Sequence, residues 1–142
     1  SKDVAYIERI ENGLLHESMD AGYGTVKTKL MSVGSPYENG VHGRWLFHGA
    51  GTKEVVSLIV EDPDVGFKPW LNERGLWGQG VYFARDAVYS VECPHCCDDC
   101  HDDEGNKMII LCLVQTGLPT IGEQHIKEAP KVHEGMRPQK IS

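Results

Sequence analysis

Apolar residues recur at positions 4, 7, 10, 14 and 15 behind Asp3, a spacing that predicts a first helix capped by that aspartate. Gly13 lies within the run and weakens a helix by about 1 kcal/mol relative to alanine, so a break near it is expected. Glycines at 22, 24, 34, 40 and 43, with Pro36, mark a turn-rich passage around a second helical piece over residues 25–31. Trp45-Leu46-Phe47 is a short apolar run of strand-like composition that ends in His48 and Gly49. Thr52 then reads as an N-cap, with Glu54 in the first turn and Val55, Val56, Ile59 and Val60 forming a buried stripe. Residues 62–80 hold prolines and glycines with little periodicity and read as a long loop, the kind of segment that forms lids and binding loops. Trp70 and Trp77 within it are either lid aromatics or anchors, with an anchor favoured for Trp77. A short strand over residues 81–84, a helical stretch over 85–91 and a continuous apolar strand over 107–116 follow, the last expected to be buried on both faces. Residues 117–142 carry no strand signal and read as loop.

This pattern fits in one domain, residues 1–142, with 40% hydrophobic and 25% charged residues, an ordinary globular balance. The net charge of −7 argues against a surface that tracks nucleic-acid phosphates. No stretch is long and apolar enough to span a membrane, and no charged-then-apolar leader opens the chain. The chain begins at Ser1, which suggests a domain excised from a longer protein. Four of the five cysteines crowd into positions 93–100, too close for independent bridges, so metal ligation in a reducing, intracellular compartment (cytoplasmic or nuclear) is expected.

Two places carry chemistry. At the first, a titratable ring at a strand end precedes Gly49-Ala50-Gly51, where two glycines let the backbone approach a ligand closely and offer bare N–H and C=O groups to it. Gly78 and Gly80 bracket the start of the next strand, on which Tyr82 alternates with its neighbours. At the second, Cys93-Pro94-His95-Cys96-Cys97-Asp98-Asp99-Cys100-His101 holds six soft or borderline ligands, where a tetrahedral zinc needs four. The spacing alone leaves the choice of four open. Asp98, Asp99, Asp102, Asp103 and Glu104 around it are expected to face solvent, and Cys112, inside the apolar strand, reads as a core thiol.

Leu46-Phe47-His48-Gly49, followed by Trp77-Gly78-Gln79-Gly80-Val81-Tyr82-Phe83-Ala84 and Tyr89-Ser90, resembles the NAD-binding core of the poly(ADP-ribose) polymerase-like ADP-ribosyltransferases, over residues 4–141. The resemblance implies an α+β fold with a split, mostly antiparallel sheet, flanking helices and a zinc-binding loop at residues 92–105. It implies NAD as substrate, transfer of ADP-ribose to a protein acceptor, and release of nicotinamide. By that likeness His48 and Tyr82 are the catalytic pair. His48 holds the ribose hydroxyls, Gly49 binds the nicotinamide carboxamide through its backbone, Ser90 binds it through its hydroxyl, and Tyr82 stacks on the ring. The tankyrase branch has a similar zinc loop with the ligand order Cys, His, Cys, Cys, which falls here on Cys93, His95, Cys97 and Cys100.

The chain departs from the family pattern in three places. The second stacking aromatic is replaced by Cys93, with Tyr89 nearby to assist, and Ala50 stands where threonine or serine is common. The family's third catalytic position belongs to a C-terminal strand that this sequence does not reach; Glu123, Glu128 and Glu134 lie outside its motif. Mono-ADP-ribosylation is therefore expected rather than polymer growth. The alternative is a silent module that binds NAD or ADP-ribose, or a zinc-stabilised interaction domain.

Overall fold

The computed structural model describes residues 3–62, 67–68, 80–93 and 99–120. In order, these form α1 (Gly13–Ser32), β1 (Gly43–His48), α2 (Lys53–Glu61), α3 (Ala87–Glu92) and β2 (Ile110–Gln115). The two strands pair as an antiparallel sheet, so the described chain is a small α+β protein. No described helix is long and apolar enough to cross a membrane.

The chain divides into two compact units. One comprises residues 1–16, 46–66 and 83–112. Here the helix expected behind Asp3 does not form; residues 3–12 are irregular, with Val4 and Ile7 exposed. Apolar spacing stabilises a helix only where the stripe has something to pack on. The start is set instead by Asn12, whose Oδ1 accepts the Leu15 N–H at 3.2 Å while its Nδ2 donates to the Val60 carbonyl at 3.3 Å. Thr52 caps α2 as its sequence predicts, accepting the Val55 N–H at 3.4 Å. Of the expected stripe, Ile59 is buried, Val56 and Val60 are half-buried and Val55 is exposed.

The expected strand over residues 81–84 reduces to a single bridge. Phe47 and Ala84 exchange both main-chain hydrogen bonds, at 2.8 and 2.7 Å, and the chain then turns at Arg85 and Asp86 into α3. Residues 99–107 form a tight hairpin-like loop, closed by the His101 and Lys107 bridge and a Met108 N–H bond to the Cys100 carbonyl at 2.9 Å.

The other unit comprises residues 17–45, 67–82 and 113–142. The turn-rich passage expected at Gly22 and Gly24 is helical instead, and the piece expected over residues 25–31 is the end of one continuous helix. It ends in a Schellman closure: Ser35 N–H bonds the Leu30 carbonyl at 2.9 Å, Gly34 N–H bonds Met31 at 3.0 Å, and Gly34 takes a φ of 72°. Leu30 is fully buried beneath it. Tyr37 packs edge-on against Tyr23 with centroids 4.8 Å apart, and its hydroxyl donates to Gln115 Oε1 at 3.0 Å.

The strand expected to be buried on both faces is buried on one. Ile110 is 7% exposed, whereas Leu111 is 53% and Leu113 is 37% exposed. A partner strand satisfies the backbone of β2 on one edge, but covering its second face needs a further layer. Residues 121–142 and most of the long loop at 62–80, with Trp70 and Trp77, lie outside the described residues.

Candidate functional site

β1 carries a half-buried His48 at its end. Its ring lies against Phe83 with centroids 5.4 Å apart and planes at 52°. The reciprocal Phe47 and Ala84 bonds place that contact, because they fix the residues on either side of it in register. The chain then bends through Gly49-Ala50-Gly51. Ala50 is buried, Gly51 adopts a φ of 76°, and the Thr52 N–H folds back onto the Ala50 carbonyl at 2.9 Å. A positive φ of that size suits glycine and few other residues. The Gly51 carbonyl accepts the Asp99 N–H at 3.2 Å.

In the same unit Ser90 lies on α3 and is only 3% exposed, with Tyr89 beside it largely exposed. The helix is short and places Ser90 inward because its neighbours Val88 and Tyr89 face out. A half-buried imidazole, a glycine backbone and a buried hydroxyl thus occur in one unit. Tyr82 falls in the other unit and is 36% exposed.

At the cysteine cluster, Cys93 closes α3 and is held in a disulfide, while Cys100 is a fully buried thiol. His95 and Cys97, as well as Cys96, lie outside the described residues. Among the described residues no three His, Cys, Asp or Glu side chains gather as a metal site. Cys112 is a half-buried thiol that burial pushes up to about 11.

Asp99, Asp103 and Glu104 are exposed as expected, and Asp98 is outside the described residues. Asp102 differs. Its carboxylate accepts from Asn106 N–H at 2.8 Å, Asn106 Nδ2 at 3.0 Å, Glu104 N–H at 3.0 Å and Tyr6 Oη at 2.8 Å. These donors, Asn106 foremost, hold the carboxyl down at about 2. The acidic run thus conceals a turn-forming carboxylate. Its sequence signal, an aspartate three residues before Gly105 and four before Asn106, is that of a side chain bonding to its own turn.

Sequence reasoning also passed over His42. It is 2% exposed, its Nδ1 accepts the Glu38 N–H at 2.9 Å, and its Nε2 has no hydrogen-bond partner among the described residues. Its position between two glycine-rich turns gave no sign of burial.

The sequence model of the poly(ADP-ribose) polymerase catalytic domain matches residues 2–140. No solved structure was found to match the chain. The chain belongs to that family, whose members are NAD-dependent ADP-ribosyltransferases.

Proposed function

We propose that this member of the poly(ADP-ribose) polymerase family transfers single ADP-ribose units from NAD to a protein acceptor. The observation that carries the reading is the conjunction of the family match over residues 2–140 with a His48-Gly49 strand end packed on the Phe83-Ala84 segment. In this reading His48 hydrogen-bonds the ribose hydroxyls, the Gly49 backbone and the Ser90 hydroxyl hold the nicotinamide carboxamide, and Tyr82 stacks on the ring, assisted by Tyr89. The bond between the nicotinamide nitrogen and the anomeric carbon breaks with its electron pair leaving on nicotinamide. The oxocarbenium-like centre that remains is attacked by the acceptor. Rigid ribose contacts favour that centre by holding it in reacting geometry. Cys93, at the position of the family's second aromatic, removes one face of the ring clamp, which supports slow, single transfers over rapid elongation.

The finer fold belongs to the same proposal: a split, mostly antiparallel sheet of the ADP-ribosyltransferase type, of which β1 and β2 are two strands. The cysteine cluster is proposed to hold one structural zinc on Cys93, His95, Cys97 and Cys100. Three thiolates and an imidazole form a donor set suited to zinc, and the burial of Cys100 suits a closed structural site. Cys93 ligates only as a thiolate, so loading requires its disulfide to be reduced, as in an intracellular compartment. Elemental analysis of reduced protein purified without chelator is expected to give one zinc per chain; a metal-free result refutes the site.

The functional test incubates the protein with isotope-labelled NAD and an acceptor mixture and reads transferred mass. Single additions of ADP-ribose with nicotinamide release are expected, lost in His48→Ala and Gly49→Trp with the thermal melt unchanged. A polymer ladder overturns the single-transfer reading. Binding of NAD with no turnover selects the silent module instead, and parent-like turnover in both variants removes the site assignment.

A further inference from the structure

The loop that carries Gly49 is braced from outside by a segment remote in sequence. Gly51 sits at φ 76°, and a chain with glycines at 49 and 51 has many alternative conformations to leave behind. Two contacts restrict it, both within one unit. The Asp99 N–H bonds the Gly51 carbonyl at 3.2 Å as part of a parallel bridge between Thr52 and Asp99, and the Lys53 ammonium pairs with Asp103 at 2.5 Å.

The bracing segment is itself well tied. Cys100 is fully buried, and its carbonyl accepts from Met108. Gly105 turns at φ 84°, and Asp102 collects three donors within the turn and a fourth from the Tyr6 hydroxyl. A fixed segment bonded to a soft loop fixes the loop. The carbonyl of Gly51 lies two residues from the backbone that the NAD reading assigns to the carboxamide.

We propose that residues 99–103 are a positioning element for nicotinamide binding, acting on Gly49 through the Asp99 N–H bond to the Gly51 carbonyl. The inference rests on the NAD reading above. Asp99 is a positioning residue that never touches substrate, and its side chain is exposed; the group that acts is its main-chain N–H. By linkage the effect runs both ways: if the bond prepares the loop for ligand, ligand at the loop protects the bond.

The test uses reduced, intact protein with NAD as the probe. Asp99→Pro removes the N–H while Asp99→Ala keeps it. The proline variant is expected to bind NAD about fivefold more weakly, the size of one main-chain hydrogen bond, with KM raised and kcat held. The alanine variant is expected to match the parent. Amide exchange at Asp99 in the unsubstituted protein is expected to slow when NAD saturates the site. Equal affinity in folded proline and alanine variants, or exchange at Asp99 indifferent to NAD, overturns the proposal. If the proline variant does not fold, the exchange measurement decides alone. If the parent itself binds no NAD, the functional reading fails and takes this inference with it, an outcome distinct because it appears before any substitution.

Discussion

Gly43 opens the strand that ends in His48, and an added methyl group there would overlap the Tyr37 hydroxyl. The next nearest atoms, Tyr37 Cζ at 3.4 Å and Gln115 Oε1 at 3.5 Å, are at ordinary contact distance. Gly43→Ala therefore collides with one atom, and Tyr37 has to swing away. The movement forfeits the Tyr37 bond to Gln115, about 1 kcal/mol, and the edge-on packing on Tyr23, again about 1 kcal/mol. A loss of about 2 kcal/mol lowers the melting temperature by roughly 8 °C in a chain of this size. The diagnostic is the same substitution in a Tyr37→Phe background, where the colliding oxygen is gone. There alanine is expected to be neutral or stabilising, since it favours an ordered strand over glycine by about 0.5 kcal/mol or more. Chemical denaturation of the four proteins gives the coupling directly. An equal loss from Gly43→Ala in both backgrounds refutes the steric argument.

Thr52→Ala removes the cap of α2 and is expected to destabilise by about 1 kcal/mol in denaturant melts. Asp102 has its folded carboxyl held near 2, below its unfolded value, so its contribution is complete above the ordinary carboxylate range and fades as pH falls from about 4 toward 2. The Asn106 amide resonance of the folded protein should titrate with its midpoint at about 2, the foot of that window, and a midpoint near 4 would disprove the hydrogen-bonded turn. Burial of Cys112 keeps its thiol protonated at pH 8, so alkylation followed by mass is expected to be slow and to accelerate about tenfold per pH unit up to 10. Labelling as fast as a small free thiol would show the site to be open.

What the sequence made legible is what local chemistry dictates. Thr52 with Glu54 behind it announces a helix start because the cap is satisfied within three residues. The strand ending at His48 was legible because a run of large apolar residues stopped at a glycine. The failures have a common cause in the absence or presence of packing partners. Helical spacing behind Asp3 gave no helix because Asn12, bonded across to Val60, supplies a better-anchored start. The apolar run in β2 predicted burial on two faces, yet Leu111 and Leu113 stay exposed because periodicity cannot count the layers around a strand. At residues 81–84 a strand-like composition yielded one bridge, since a ladder needs a partner that continues beside it.

The candidate site divides along the same line. His48, Gly49 and Ser90 were named from the family resemblance, and the roles given to them remain part of the proposal. What holds them was hidden. The Phe47 and Ala84 pair and the Asp99 and Gly51 bond are main-chain contacts, made by groups every non-proline residue carries, and no side chain announces them. The acidic run beside the cysteines shows the converse. It read as charge, but Asp102 is structural, because two donors from one asparagine and one from a tyrosine far back in the chain converge on it. The proposed site is therefore read from two sources: side chains that the sequence displays, and main-chain bonds that it does not. Substitutions that spare the first and disturb the second, as Asp99→Pro does, separate the two contributions.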